Sequence, residues 1–393
     1  MLTKHELDLR KEKFFEKINV WNPDWDIAVI VDKVNQYYFT GTMQNGVLIL
    51  LPEGDIHLFV KKSYERAKIE TPIENIHPMD TYRDMVKTIG QGFENGYFEL
   101  EIIPYKMLAR INKHIKVENI LPLDNIIQNQ RSVKTKYELS KIRESGHKHA
   151  ILFNDIIPGI LKEGMSEVDL AMGCFDEMMK LGHHGVTRFS MFQQYELIGQ
   201  VAFGAHSLYP TSFNGPGGSR GISNAVPVLG DPKRKLKKGD LIFADVGFGI
   251  DGYHTDKTQV YMYKDKVLAD IASIHRKCMD IQDAAAKMLI PGNIPSDIYK
   301  TILNGLDQEF KENFMGFGES VPFLGHGVGL YINDMPVIAN KFDDALEKNM
   351  VIALEPKKGI EDFGMVGVEE TFIVTEDGGV CVTGGRREII EVF

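Results

Sequence analysis

Two apolar stretches of the chain each contain a pair of acidic residues, and a buried carboxylate needs a cation or a proton nearby to be stable. Asp245 and Asp256 lie in DLIFADVGFGIDGYHTDKTQVYMY. Glu355 and Glu369 lie in MVIALEPKKGIEDFGMVGVEETFIV. Each stretch has apolar runs on both sides of a turn signal, so each predicts a β-hairpin with acidic residues in its strands.

The pairing within the first hairpin depends on which residues form its turn. If Ile250 and Asp251 are the two loop residues, Asp245 faces Asp256 with Cβ atoms about 4.5–5.5 Å apart. Two ionised carboxylates about 5 Å apart repel by about 3 kcal/mol at an effective dielectric constant of roughly 20. The pair therefore indicates a bound cation or a protonated acid, with a solvated sheet face as the alternative.

The second hairpin repeats this arrangement. With a turn centred on Asp362, Glu355 faces Glu369, and His326 in VPFLGHGVGL adds one imidazole. A lone histidine of this kind is often a hydrogen-bonded core residue, but four carboxylates and one imidazole form a coherent ligand set. Oxygen ligands with one nitrogen suit Mn, Fe, Co or Zn. Two divalent ions would balance four carboxylates, and two ions about 3.5–4 Å apart can share a hydroxide for hydrolysis.

The elements that must position these residues indicate two domains, because 393 residues exceed one ordinary hydrophobic core. The first third alternates helical segments with the strand-like stretches DIAVIVD, YYFTGT, GVLILLP and IHLFVKK, an α/β pattern. The apolar pattern then thins, and the predicted domains are 1–128 and 129–393. A long helix is expected over 134–161, and Ser166 with Asp169 predicts a capping box at the start of the next helix.

Composition and charge exclude several kinds of partner. The formal net charge of -10 argues against a nucleic-acid surface, which needs clustered Lys and Arg. The longest apolar stretch, Val47 to Leu51, is far shorter than the roughly 20 residues of a membrane helix. The cysteines are odd in number and far apart, which favours a reducing compartment such as the cytoplasm. They are Cys174, Cys278 and Cys381.

In order and spacing, these residues resemble the motifs of the pita-bread metallopeptidases, the family of methionine aminopeptidase, prolidase and aminopeptidase P. The matching motifs are D-x10-D, GHGxG, an E-P strand and E-[DE]-T, found here as Asp245/Asp256, Gly325-His326-Gly327, Glu355-Pro356 and Glu369-Glu370-Thr371. The Y-F-T-G stretch around Thr40 resembles the creatinase-type N-terminal domain. Arg131, Lys134 and Glu138 match the family linker R-x-x-K-x-x-x-E.

The resemblance implies an α+β fold with a smaller creatinase-like α/β domain followed by a pita-bread catalytic domain. It implies that Asp245 chelates one ion, that Asp256 and Glu369 bridge two ions, and that His326 and Glu355 complete the second site. Glu355 is also the expected proton shuttle. Manganese is the expected metal, with cobalt, zinc or iron as alternatives. The expected substrate is a short peptide, and the expected assembly is a homodimer.

Four positions depart from the motifs of the Xaa-Pro peptidases. Val228 stands where the family has a histidine before the first metal aspartate, and Asn333 stands where it has a second histidine after His326. Gly367 replaces an arginine two residues before the last glutamate, and Gln259 ends the usual D-x-T-R. The ligand set is therefore retained while the residues that recognise proline peptides are not.

Several other polar residues are candidates for the missing roles. His206, in FGAHSLYP upstream of the first metal aspartate, is the predicted substrate-binding residue. Arg188 and the pair His183-His184 are expected to end a helix and line a loop. His254, just after the first hairpin turn, is expected on an exposed strand position.

Three functions are compatible with these features. A dinuclear metallopeptidase that releases an N-terminal residue from short peptides, Xaa-Pro peptides included, accounts for all five predicted ligands. A metal-dependent amidase that acts on a non-peptide C–N bond uses the same ligands with a different pocket. A non-catalytic binding module on the same scaffold is the alternative from a different class.

Overall fold

The computed structural model describes residues 2–192, 194 and 196–393. Contacts between Cα atoms divide the chain into two compact units, Met1–Arg131 (unit 1) and Ser132–Phe393 (unit 2).

Unit 1 is built on a six-stranded mixed sheet in the order β4-β3-β2-β1-β5-β6, with β1 antiparallel to β2 and parallel to β5. Its buried core lies mainly between this sheet and helices α4 and α5, defined below. The strands are β1 (Ile27–Ile30), β2 (Asn45–Leu50), β3 (Ile56–Lys62), β4 (Ile76–Pro78), β5 (Phe93–Phe98) and β6 (Val117–Pro122). The helices are α1 (Lys4–Trp21), α2 (Lys33–Thr40), α3 (Tyr64–Glu70), α4 (Arg83–Ile89), α5 (Tyr105–Ile115) and α6 (Asp124–Ser132).

Two details of unit 1 differ from the expectations. The stretch YYFTGT is helical and not a strand, because α2 begins at the N-cap Asp32, whose side chain accepts a hydrogen bond from the Asn35 N–H, and ends at Gly41 with φ 76°. The expected domain boundary after residue 128 falls inside α6, because the chain stays helical through that position.

Unit 2 contains the four-stranded sheet β19-β9-β8-β7, the five-stranded sheet β13-β12-β14-β17-β18 and two short ribbons, β15-β16 and β10-β11. The strands are β7 (Gly199–Phe203), β8 (Leu241–Ile250), β9 (Tyr253–Tyr263), β10 (Gly316–Phe317), β11 (Glu319–Ser320), β12 (Phe323–Gly327), β13 (Asp334–Ala339), β14 (Val351–Leu354), β15 (Lys357–Ile360), β16 (Gly364–Gly367), β17 (Glu370–Thr375), β18 (Gly378–Cys381) and β19 (Ile390–Val392).

The helices of unit 2 flank these sheets: α7 packs on β8 and β9, and α10 packs on β15, β16 and β18. A capping box at Ser166 and Asp169 opens α9, as predicted. The helices are α7 (Lys136–Ile151), α8 (Ile157–Ile160), α9 (Glu167–Lys180), α10 (Ala269–Lys287), α11 (Pro295–Asn304) and α12 (Gln308–Lys311). A π-helical turn, Leu152–Ile156, joins α7 to α8. Across the described ranges, the search for a helix of membrane-spanning length and hydrophobicity finds none.

The first predicted hairpin forms with a different turn. Its two loop residues are Asp251 and Gly252, both with positive φ, at 50° and 94°. This is what a two-residue hairpin turn with left-handed residues requires, and a β-branched isoleucine is unsuited to such a conformation. Asp245 consequently faces Thr258, and Asp256 faces Gly247, so the two acids are diagonal neighbours on one face.

The second hairpin has the predicted pairing. Lys357 faces Gly367 in the ribbon β15-β16, and Leu354 faces Glu370 in the ladder β14-β17. The same register continues through the gap between these two ladders, where Glu355 and Glu369 stand opposite each other.

Glu99, at the end of β5, ties the loop after β1 to the sheet of unit 1. Its carboxylate accepts hydrogen bonds from the Val31 N–H at 2.6 Å, the Asp32 N–H at 2.7 Å and the Asn35 side-chain amide at 2.6 Å. Glu99→Ala is therefore expected to destabilise unit 1 by about 2–4 kcal/mol, since several donors lose their acceptor. Urea unfolding measures the change. Glu94→Ala, at an exposed position of the same strand, is the control and is expected to stay within about 0.5 kcal/mol.

Candidate metal centre

Five segments of unit 2 converge on one cluster of side chains. Asp245 lies on β8, Asp256 on β9 and His326 on β12, while Glu355 follows β14 and Glu369 precedes β17. Ion-pair contacts connect these side chains directly or through one shared lysine. The structure thus brings together all five residues that the sequence analysis grouped.

Hydrogen bonds hold the two sheets together at this cluster. Thr258 on β9 donates from its backbone N–H to the Glu369 carbonyl at 3.2 Å and from Oγ1 to Glu369 Oε2 at 3.0 Å. The Asp256 N–H donates to Thr371 Oγ1 at 2.9 Å, and the Thr371 hydroxyl donates to the Asp256 carbonyl at 2.9 Å. The positions of Asp256 and Glu369 are therefore fixed by backbone geometry and not by the acids alone.

One half of the cluster is centred on His326. Its Nδ1 lies 3.1 Å from the Gly327 carbonyl, so Nδ1–H donates there and Nε2 faces the acids. Nε2 is 3.4 Å from Glu355 Oε1, 3.8 Å from Glu369 Oε1 and 3.9 Å from Asp256 Oδ2. Glu369 Oε1 is buried and has no hydrogen-bond partner.

The other half is centred on Lys357, a residue that the sequence analysis did not consider. Its Nζ donates to Asp245 Oδ2 at 2.9 Å, to Glu355 Oε2 at 2.9 Å and to Glu369 Oε2 at 2.7 Å. Lys357 is fully buried. An ammonium has three N–H donors, and here each has a carboxylate acceptor. Glu355 and Glu369 therefore each turn one oxygen toward His326 and the other toward Lys357.

Burial and crowding shift the pKa values of these groups. Burial raises the pKa of Asp245 to about 6, with Lys357 opposing the shift, and burial together with Glu369 raises the pKa of Asp256 well above its usual value. Burial lowers the pKa of His326, but the hydrogen bond to Glu355 and the neighbouring acids outweigh it and raise the pKa to about 10. The cluster thus retains protons that a divalent ion would displace on binding.

The His326 half fits a divalent ion. Two atoms bound to one ion at about 2.1 Å each lie at most about 4.2 Å apart, and every distance from His326 Nε2 to its three acids satisfies this limit. One ligand atom each from Asp256, His326 and Glu369 lies within 4.8 Å of the others. The unpartnered Glu369 Oε1 is a free donor for such an ion. The oxygens that face Lys357 accept its hydrogen bonds, so they are not free to bind an ion while the ammonium holds them.

Sequence reasoning missed three polar residues beside Asp245. Lys357 is two residues beyond Glu355, the spacing that returns a strand to the same face, and this is the signal that could have found it. Gln200 on β7 pairs directly with Asp245, and both atoms of its buried side-chain amide lack hydrogen-bond partners. Burial and the charge of Asp245 raise the pKa of Glu196 to about 8.

His206, the predicted substrate-binding residue, lies beside a different acid. Its Nδ1 is 3.1 Å from Glu167 Oε1, and the Glu167 carboxylate accepts hydrogen bonds from the Phe203 and Asp231 N–H groups. His206 borders a cavity of about 400 Å³ that is also lined by Arg234. The predicted metal ligands are not among the residues that line it. A role for His206 in substrate binding stays a prediction.

The remaining histidines form a buried group of neutral imidazoles. His254 is fully buried and not exposed as expected, because β9 continues under the 329–332 loop and His254 Nδ1 donates to the Gly329 carbonyl at 3.0 Å. His184 Nε2 lies 3.2 Å from His254 Nε2. His183 Nδ1 accepts from the Gly249 N–H at 2.9 Å, and the Arg188 N–H donates to His254 Nε2 at 3.3 Å. These residues stabilise the hairpin turn and do more than solvate a loop.

The positions that depart from the family motifs have ordinary structural roles. Asn333 accepts a hydrogen bond from the Ser190 N–H at 2.8 Å, and the Val228 carbonyl accepts one from the Ile222 N–H at 3.3 Å. Gly367 has φ 130°, and a Cβ there would come within 2.4 Å of the Pro356 carbonyl oxygen. The backbone therefore excludes an arginine at position 367.

Comparison with known proteins identifies the class. Metallopeptidase family M24 matches residues 140–376, and the creatinase/prolidase N-terminal domain matches residues 22–133. The chain belongs to metallopeptidase family M24. The predicted family, the predicted fold class and the prediction of a peptidase enzyme are thereby confirmed, and membership implies divalent metal ions.

Individual relatives agree with this assignment over nearly the whole chain. An Xaa-Pro dipeptidase of Pyrococcus furiosus is 26% identical over 373 residues, which cover 93% of this chain and 95% of the relative. The crystal structure of a prolidase from Pyrococcus horikoshii superposes with a TM-score of 0.78 at 22% identity, covering 97% of this chain and 100% of that one. The dipeptidase PepE of Mycobacterium ulcerans gives a TM-score of 0.79 at 18% identity, covering 100% and 99%. The structural matches show the fold.

The buried imidazoles predict an acid-sensitive fold. Burial lowers the pKa of His183 to about 3 and that of His184 to about 4, so the unfolded chain binds more protons below pH 6.5 than the folded chain does. The free energy of unfolding should fall as the pH drops from 6.5 toward 4, by up to about 1.4 kcal/mol per pH unit for each histidine. Urea unfolding at several pH values measures the slope.

His183→Gln should reduce this slope by about one proton. His147→Gln, at an exposed position of α7, is the matched control and should leave the slope unchanged. An equal slope in wild type and His183→Gln would contradict the prediction.

Proposed function

We propose that this chain is a metal-dependent exopeptidase that hydrolyses the N-terminal peptide bond of short peptides, Xaa-Pro peptides included. The observation that carries the proposal is the His326 half of the cluster. There an imidazole and the oxygens of three acids converge at distances that suit one divalent ion. Membership of family M24 supplies the reaction class.

Asp256, His326 and Glu369, with Oε1 of Glu355, would hold the ion. A divalent ion at such a position polarises a carbonyl and lowers the pKa of water. The protein's own groups then determine how the proton moves. Glu355 is held by Lys357 through Oε2, which leaves Oε1 to take a proton from the attacking water and deliver it to the leaving nitrogen.

The metal number and identity are narrower versions of the same proposal. Oxygen-rich ligation with one imidazole suits manganese, and also cobalt, zinc or iron. The sequence analysis expected two ions that share a hydroxide. That form requires Lys357 to leave the three carboxylates it now holds.

Polar groups beside Asp245 are suited to binding a peptide. The unpartnered amide of Gln200 can accept one hydrogen bond from a peptide N–H and donate another to a carbonyl. Glu196 offers a carboxyl group to a substrate ammonium. The relatives named Xaa-Pro dipeptidase favour proline-containing substrates. The departures at Val228, Asn333 and Gly367 argue for a different preference among short peptides.

The test is hydrolysis of a dipeptide and tripeptide library, Xaa-Pro members included, by protein loaded with Mn²⁺ or Co²⁺. We expect release of the N-terminal residue, loss of activity in EDTA and its return with the metal. Glu355→Gln should lower kcat by at least about 100-fold, because it removes the proton acceptor. Glu361→Gln, on the exposed turn of the second hairpin, is the control and should retain activity. A metal-loaded, folded protein that cleaves no member of the library would refute the proposal.

Two alternatives have specific observations in their favour. The missing proline-recognition residues favour an amidase that acts on a non-peptide C–N bond, and hydrolysis of small amides but not peptides would identify it. The ammonium within the cluster favours a non-catalytic binding module. Absence of bound divalent ion after loading, together with an unchanged melting temperature, would identify that function.

Two further predictions concern assembly and location. The resemblance favours a homodimer, for which light scattering should give about twice the chain mass of 44.4 kDa. A value at the chain mass would contradict it. The cytoplasmic location rests on the three separate cysteines, all free in the structure. Fractionation of source cells tests this location.

A further inference from the structure

The cluster of acids contains a cation that belongs to the chain itself. Lys357 Nζ lies 2.7–2.9 Å from one oxygen each of Asp245, Glu355 and Glu369. An ion bound by the same three oxygens would have to take the position of Nζ. Two cations cannot share that position, so the lysine and a metal ion are alternatives on this side of the cluster.

The backbone holds Lys357 in this position. It lies on β15 opposite Gly367, and a Cβ at Gly367 would come within 2.6 Å of the Lys357 Cα. Nζ also lies 5.8 Å from the centre of the Phe243 ring, and the whole residue is shielded from solvent. Withdrawal of the ammonium would leave a buried charge without its acceptors, which is strongly unfavourable.

The two halves of the cluster are connected as the two ions of a dinuclear centre are. Glu355 and Glu369 each direct Oε2 to Lys357 and Oε1 to the His326 side. Asp245 contacts the ammonium, whereas Asp256 and His326 lie on the other side. Bridging carboxylates are thus present, but they bridge an ammonium and one potential ion site.

We propose that the Lys357 ammonium permanently replaces one ion of the two-ion arrangement, so that this chain binds a single divalent ion on the His326 side. In this arrangement Asp245 serves Lys357 and is not a metal ligand. The inference rests on the metal site of the proposed function but does not depend on its substrate.

Metal stoichiometry tests the inference directly. Chelator-treated protein is titrated with Mn²⁺ alone, and the bound metal is counted by native mass spectrometry and elemental analysis. We expect one Mn²⁺ per wild-type chain and a six-line electron paramagnetic resonance spectrum from an isolated ion. Two Mn²⁺ bound with affinities within about tenfold of each other, with the multiline spectrum of a coupled pair, would overturn the inference. A chain that binds no Mn²⁺ would overturn it as well.

Variants assign the ion to its side of the cluster. Lys357→Met removes the charge with little change in volume and should raise the count to two Mn²⁺ per chain. Asp245→Asn should leave the wild-type count at one but return Lys357→Met from two to one. Lys358→Met is the matched control, because the Lys358 ammonium donates to the Glu309 and Phe310 carbonyls outside the cluster. It should leave the count at one.

The outcomes separate this inference from the proposed function. A folded Lys357→Met protein that still binds one Mn²⁺ would overturn the inference without affecting peptide hydrolysis. If Lys357→Met does not fold, the wild-type count and Asp245→Asn decide: loss of the ion in Asp245→Asn would contradict the assignment. A protein with one Mn²⁺ that cleaves no peptide would leave the inference standing and refute the proposed function.

Discussion

The compensation of four carboxylates within one small buried volume is the constraint on which the rest of unit 2 depends. Asp245, Glu355 and Glu369 are each less than one-tenth exposed, and Asp256 is mostly covered. Without cations, their mutual repulsion would oppose the pairing of β8 with β9 and of β14 with β17. The fully buried Lys357 supplies one positive charge, and the His326 side offers the place for a divalent ion.

This compensation also explains why the sheets meet where they do. The four-stranded and five-stranded sheets are joined by Thr258 and Thr371, next to the acids that both sheets contribute. The hydroxyls pair with backbone groups and with Glu369, so the carboxylates cannot move apart to relieve repulsion. A rigid cluster of this kind is preorganised for a cation and for transition-state charge, and that is the property a hydrolase needs.

Much of this arrangement could be predicted from local sequence, although one turn was assigned incorrectly. Placing the first turn at Ile250-Asp251 in place of Asp251-Gly252 changed the cross-strand partner of Asp245 from Thr258 to Asp256. The face of the strand did not change, because moving the turn by one residue shifts the pairing by two, and side chains alternate with a period of two. The acids therefore still met on one face, as diagonal neighbours. By contrast, the helix over YYFTGT was missed because its caps, Asp32 and Gly41, lie outside the aromatic stretch.

The sequence by itself determined the family, the two hairpins, the grouping of the five acidic and imidazole side chains, and the loss of the proline-recognition residues. These depend on spacing, alternation and turn chemistry, which are local properties of the chain. Only the tertiary structure decided that Lys357 enters the cluster and that His254 is buried. It also decided that Gln200 lies beside Asp245. Each depends on which strand packs against which, and on whether an opposite residue such as Gly367 leaves room, and no local pattern contains that information.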